Sequence, residues 1–220
     1  MKTRQRIVQA SLEMFNQQGE RTVSTNHIAA YMEISPGNLY YHFANKQEIV
    51  AELFAEYERG VDNFLRPPQS SSVGVDDMRF YLQCLFESNW NYRFFYRDLE
   101  HLLDSDRQLA ERYRQFSRRC LAQGQGILDA FAEAGVLRLQ PGQAEALALN
   151  SWIILTSWTR FLVTAQETST QLSEAVVKRG IFQVLTMVMG FVSEPWQAAV
   201  SALHDEFTVP LSLAPEVGAS

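Results

Sequence analysis

Apolar side chains recur at three- and four-residue spacing through almost the whole of this 220-residue chain, and no useful length of it alternates apolar with polar residues. That property restricts the fold to packed helices, because only a 3.6-residue repeat gathers such positions on one face. Starts and stops punctuate the pattern. Ile7, Ser11, Met14 and Phe15 mark a first helix that stops at Gly19, and Val23 is a short apolar anchor before the next start. Ser24 and Thr25 cap a second, short helix carrying Ile28, Ala29 and Met32. Ser35 caps a third, with Pro36 at the first helical position, where its missing N–H costs nothing.

Asn45 opens a fourth helix, Glu48 completes a capping-box-like pair, and the buried stripe runs Ile49, Leu53, Tyr57, Val61, Phe64. It ends at RPPQSSSVG, residues 66–74, the best boundary between a small head and a larger helical body. Further helices are predicted near 76–90, 92–103, 106–134, 141–166, 172–193 and 195–206. Their breaks fall at Gly135, Pro141 with Gly142, the TSTQ run and Pro195. The expected domains are a head over 1–48, a body over 49–208 and a fraying tail over 209–220.

Composition narrows the function. A hydrophobic fraction of 46% with 20% charged residues describes a folded chain with a core, and a net charge of -6 excludes one that coats nucleic acid everywhere. Residues 1–50 differ from the rest: Lys2, Arg4, Arg6, Arg21 and Lys46 outnumber Glu13, Glu20, Glu33 and Glu48 by one, so a local basic face survives in the head. Cys84 and Cys120 are far apart and lack metal spacing, as buried thiols in a reducing compartment would. The polar start, with Arg4, Gln5 and Arg6, predicts no leader. The most apolar run, Ile181 to Val192, is far short of the roughly 20 residues of a membrane span, so a cytoplasmic protein away from membranes is expected.

Two short helices, the second presenting small and polar residues from its first turn, form a helix-turn-helix pattern. In SPGNLYYHFANK, Leu39 and Phe43 form the back of the third helix at i and i+4, leaving Gly37, Asn38 and Tyr41 opposite, with Tyr40 and His42 on the flanks. Those residue types suit a major groove. Gly37 removes bulk at closest approach, Asn38 can hydrogen-bond a base edge, and tyrosine or histidine can meet phosphates or thymine methyls. Pro36 can make apolar contacts alone, and Thr25 and Lys46 stand at helix starts where phosphates are held.

The linked elements Thr25-Asn26-His27-Ile28-Ala29, Ile34-Ser35-Pro36-Gly37-Asn38-Leu39-Tyr40-Tyr41-His42-Phe43 and Asn45-Lys46-Gln47-Glu48 resemble the DNA-binding domain of the TetR family of transcriptional regulators. The resemblance covers about residues 5–50. It implies an all-α protein: a three-helix head joined by a fourth helix to a larger helical body that binds ligand and dimerises. It further implies that Thr25, Tyr40 and Lys46 contact phosphate, and that Asn26, Pro36, Gly37, Asn38, Tyr41 and His42 face bases, with Ser35 starting the reading helix. The implied partners are double-stranded palindromic operator DNA, a second copy of the chain and a small-molecule effector. One residue departs from the family pattern: Glu33 stands where glycine is common in the turn, at a strain cost if its φ is positive.

Rings crowd NWNYRFFYRDLEHLL and recur beyond it, so Trp90, Phe94, Phe95, Tyr113 and Phe116 are candidates to line a cavity for an apolar effector. Arg97, Asn150, Thr156 and Arg160 are candidate polar anchors; plain core packing is the alternative. Leu147, Ile154, Trp158 and Phe161, with Ile181, Val184 and Val188, form stripes suited to a dimer interface, or to an intramolecular core. Only four histidines occur, His27, His42, His101 and His204. With no nucleophile elbow, phosphate loop or metal repeat, neither catalysis nor a cofactor or metal is expected. Glu100, His101 and Asp104 share a helical face that reads as solvated surface. The rival function is a helical small-molecule binding protein or enzyme whose head no longer binds DNA; a milder one is an activator instead of a repressor.

Overall fold

A computed structural model describes residues 2–68, 73–165 and 173–209. The middle of the 66–74 connector, the TSTQ break and the tail from residue 210 lie outside the described residues. In chain order the helices are α1 (Thr3–Gln18), α2 (Thr25–Tyr31), α3 (Pro36–His42), α4 (Lys46–Phe64), α5 (Val75–Asn91), α6 (Arg93–Arg97), α7 (Leu99–Ser105), α8 (Arg107–Glu133), α9 (Gln143–Ala165), α10 (Glu174–Met189) and α11 (Gln197–Glu206). Short 3₁₀ turns cover Glu20–Thr22 and Glu194–Trp196. Among the described residues the sole β feature is one isolated antiparallel bridge, Leu137 with Val192. The expected all-α class is what the chain adopts.

Two compact units form. The first joins residues 1–64 with 91–120; the second joins 65–90 with the residues from 121 onward. In the first, α1 buries Ile7, Val8, Met14 and Phe15, and the Ser11 hydroxyl donates to the Ile7 carbonyl at 2.7 Å, as a buried hydroxyl must find a partner. Gly19 ends α1 with φ +94, its N–H bonded to the Phe15 carbonyl. The segment predicted as one helix over 92–103 is two, because the chain turns at Asp98 between α6 and α7.

Phe54 of α4 is the hub of the first unit. Its ring stacks on Phe95 at 5.0 Å and meets Phe116 edge-on at 5.5 Å, with Tyr57 and Tyr113 at 6.3 and 6.2 Å. Beside it the Tyr57 and Tyr96 hydroxyls hydrogen-bond at 2.7 Å, and burial pushes both phenols above their ordinary range. Burial likewise pushes the Cys120 thiol up to about 12, which makes it a small core side chain without reactive thiolate. Glu58 of α4, itself buried, is gripped by Arg112 and Arg119 of α8, each at 2.5 Å, and Arg119 also reaches Asp62 at 3.3 Å.

In the second unit α9 and α10 are packed along their lengths, and Trp158 is inserted between them. Its indole N–H donates to the Val176 carbonyl at 2.7 Å, and a Cβ at Gly180 would lie 2.7 Å from the indole ring. Glycine at 180 is what lets the ring approach. Gly180→Val is expected to lower unfolding free energy by about 1–3 kcal/mol, the range for forcing volume into a packed interior, measurable by urea titration. Pro67 sits against Gly126 in the same way, with a Cβ there reaching 2.9 Å, so the start of the connector is anchored.

Of the two roles open to the stripes of α9 and α10, most of their residues take the intramolecular one. Leu147, Ile181, Val184 and Val188 are buried within the chain's own second unit, and Trp158 is committed to α10. Ile154 is half-buried. Among the described side chains, the large apolar ones that α9 exposes are Leu149 and Ile153 together with Phe161 of the predicted stripe, spaced by four and eight residues. Among the described residues no helix is long and apolar enough to cross a membrane.

Candidate nucleic-acid interface

The head builds its reading surface from two capped helices and a tight turn. Ser24 caps α2: its hydroxyl accepts the His27 N–H at 3.2 Å while His27 Nδ1 accepts the Ser24 N–H at 3.3 Å. This reciprocal box uses a histidine in the place usual for Glu or Gln, a role the sequence reading did not assign to His27. Ser35 caps α3 by accepting the Asn38 N–H at 3.2 Å, with Pro36 following directly, as expected. The turn between them places Glu33 at φ +56, in the left-handed region where a side chain is strained. Glu33→Gly is expected to raise unfolding free energy by about 0.5–1 kcal/mol, read from a higher melting midpoint.

Leu39 and Phe43 are completely interior, so α3 has the back predicted for it. The guanidinium of Arg4 covers the Phe43 ring at 4.2 Å and pairs with Glu52 at 2.9 Å. The opposite side is bare. Pro36, Gly37, Asn38 and Tyr41 are exposed, Tyr41 to 84%, and its ring stands edge-on to that of half-buried His42 at 5.0 Å. Gly37 has no positive φ, and beyond its own helix backbone and chain neighbours a Cβ there would meet only the Ser35 hydroxyl, at 4.0 Å. Nothing inside the head requires glycine at 37.

Thr25 and Tyr40, both expected at phosphate, are brought together: their hydroxyls lie 2.9 Å apart, and both residues line an open hollow with Arg21, Thr22, Val23, Ser24, Ala44, Asn45 and Lys46. Asn26, at the next position of α2, is exposed, whereas Thr25 is half-buried. Asn45 caps α4 by accepting the Glu48 N–H at 2.9 Å, and the Glu48 carboxylate accepts the Ala44 N–H at 2.9 Å, so the box closes one residue earlier than the sequence pattern implied. Lys46 differs more from expectation. Its ammonium turns inward and donates to the Glu20 and Val23 carbonyls at 2.9 and 3.0 Å, with the Glu20 carboxylate at 2.7 Å. The backbone N–H of Lys46 stands in the first turn of α4, where N–H groups have no carbonyl partner within the helix.

The candidate effector residues are divided. Phe94, Phe95, Arg97, Tyr113 and Phe116 belong to the first unit, whereas Trp90, Asn150, Thr156 and Arg160 belong to the second. Phe94 packs on Phe15 at 5.3 Å, and Phe95 and Phe116 are interior around Phe54, so these rings are core. Arg97 is corrected from anchor to structural tie: it donates to the Phe15 carbonyl at 2.7 Å and lies beside Asp98 at 3.5 Å, fastening α6 to the end of α1. Thr156 donates to the Trp152 carbonyl of its own helix at 2.8 Å. Asn150 and Arg160 are exposed, and Trp90 is half-buried. Among the described residues no group of three His, Cys, Asp or Glu side chains could hold a metal.

A capped helix with a buried back and a bare, glycine-bearing front, set beside α1 and the short α2, defines the class of helix-turn-helix proteins. Residues 7–53 match the model of the tetR family of bacterial regulatory proteins, and residues 56–200 match that of the TetR bacterial transcriptional repressors. This chain belongs to the TetR family of transcriptional regulators. A TetR-family transcriptional regulator from Marinobacter aquaeolei VT8 is 45% identical over 94% of this chain and 99% of its own, with a TM-score of 0.85. The HTH-type transcriptional regulator UidR of Escherichia coli K12 is 36% identical over 66 residues, 30% of this chain. That match spans about a third, 34%, of UidR. A tetR-family regulatory protein from Rhodococcus RHA1 shares the fold at 22% identity, with a TM-score of 0.61 over 88% of this chain and all of its own.

Proposed function

We propose that this chain is a ligand-responsive repressor that binds a palindromic operator as a homodimer in the cytoplasm and leaves it when a small apolar or amphipathic effector binds. The front of α3 carries the reading: Tyr41 is 84% exposed and Gly37 has open space before it, so the chain presents a ring and a gap with no use inside the head. Asn38, Tyr41 and His42 read base edges, with Pro36 and Gly37 at closest approach and Asn26 beside them. Thr25 and Tyr40 hold a phosphate through their paired hydroxyls, and Lys46 contributes its N–H. Residues 1–48 act as the head and 49–208 as the body.

The homodimer follows from Leu149, Ile153 and Phe161, an exposed apolar face that a twofold mate would cover. Two heads then meet half-sites about 34 Å apart, one turn of DNA, or a multiple of that. An effector works by binding better to a state with the heads wrongly spaced. The ring cluster around Phe54 suits that task, because repacking it would shift α4, the helix that begins in the head at Lys46.

A gel shift with the DNA upstream of the chain's own gene tests the reading; retention of that DNA at low salt with release as salt rises is the expected result. Ile153→Glu is expected to give monomers in sedimentation and to weaken operator binding at least tenfold, since each head then holds a half-site alone. An Ile153→Glu dimer of wild-type stability would place the interface elsewhere.

A further inference from the structure

The Lys46 ammonium has three N–H donors and three acceptors within 3.0 Å: two backbone carbonyls and the Glu20 carboxylate. It has no donor left for a phosphate. Its charge is also balanced on the spot, because Glu20 is 4% exposed and a buried carboxylate holds its counter-ion strongly. Glu20 is held in turn. Its N–H donates to Asp98 at 3.1 Å, and Arg97 and Arg21 lie 3.5 and 3.9 Å from the Asp98 carboxylate. Its second oxygen, Oε2, is buried without a hydrogen-bond partner, 3.7 Å from His101 Nε2. Lys46 meanwhile lines the same open hollow as Thr25 and Tyr40, whose hydroxyls are paired, so the restrained ammonium stands behind the phosphate position.

We infer that Glu20 is an affinity-setting residue: its carboxylate keeps the Lys46 ammonium out of the phosphate contact, so the wild-type head binds its operator more weakly than its side chains permit. The inference rests on the operator reading above. Glu20 acts through Lys46 and touches no DNA, which makes it a positioning residue. Replacing its charge frees a cation at the hollow, and each added phosphate contact steepens the fall of log K with log salt by about 0.9.

The test uses full-length wild type, Glu20→Gln, Lys46→Gln and the double variant, each titrated at several salt concentrations against one duplex recovered by selection from random oligonucleotides. Glu20→Gln keeps an oxygen acceptor for Lys46 and is expected to bind several-fold more tightly at low salt, with a slope steeper by about 1 per head. The double variant is expected to return to the wild-type slope, and Lys46→Gln alone to leave that slope unchanged. An unchanged slope in Glu20→Gln, or a flattened one in Lys46→Gln alone, would overturn the inference while leaving operator binding intact; failure of all four to bind would overturn the operator reading itself. A measurement on the wild type needs no variant to fold. The Lys46 ammonium resonance in ¹⁵N NMR is expected to stay unshifted when the duplex is added, and a new coupling to ³¹P there would contradict the restraint.

Discussion

Replacing Asn38 and Tyr41 together by alanine is expected to abolish operator binding, by at least a hundredfold in Kd, while the melting midpoint stays within a degree or two of wild type. Both side chains are exposed, neither takes part in a hydrogen bond that ties the head together, and the cap of α3 uses the backbone N–H of residue 38, which alanine retains. A base-edge pair contributes about 1–3 kcal/mol of discrimination, and a homodimer loses each contact twice. The two readouts separate reading from folding. If binding survived, the front of α3 would not face DNA; if binding and stability fell together, the loss would be structural.

Phe54→Ala should show the opposite pattern, a large loss of stability from a fully buried residue at the centre of the ring cluster. Removing that ring leaves Phe95, Phe116, Tyr57 and Tyr113 around a space that fixed helices cannot fill. Phenylalanine truncations of this kind cost about 3–5 kcal/mol, with the spread set by how far the site collapses. Urea unfolding followed by tryptophan fluorescence measures it directly. Phe54→Leu, which keeps most of the volume, should cost about half as much or less. Equal losses in the two would mean that the ring geometry, more than the filled volume, carries the cluster.

What the sequence made legible was local. Ser35 and Pro36 announce the start of α3, Gly19 the end of α1, and Leu39 with Phe43 the buried back, because each signal lies within one turn of what it governs. Glu33 is the same kind of case: a side chain where the turn needs positive φ, and φ is +56. Distant pairings were not legible. Lys46 reads as a phosphate ligand until Glu20 and Val23, more than twenty residues earlier, are seen to use its ammonium. Arg97 reads as a ligand anchor until it is found on the Phe15 carbonyl.

Periodicity shows that a face is buried but not against what. Ile181, Val184 and Val188 fit either a second copy or the chain's own core, and they are buried in the core, because α9 carries apolar residues on both a buried and an exposed face. The exposed one, with Leu149, Ile153 and Phe161, could be told from the buried one with Leu147 only after the position of α10 was known. The break at Asp98 escaped notice for a related reason: neither glycine nor proline marks it.

Selection of full-length protein on random double-stranded oligonucleotides tests the central claim most directly. The account predicts enrichment of a palindrome whose half-sites are separated by about one helical turn or a multiple, lost when Asn38 and Tyr41 are both alanine. Recovery of no sequence above background, or of a site unaffected by that double substitution, would contradict it.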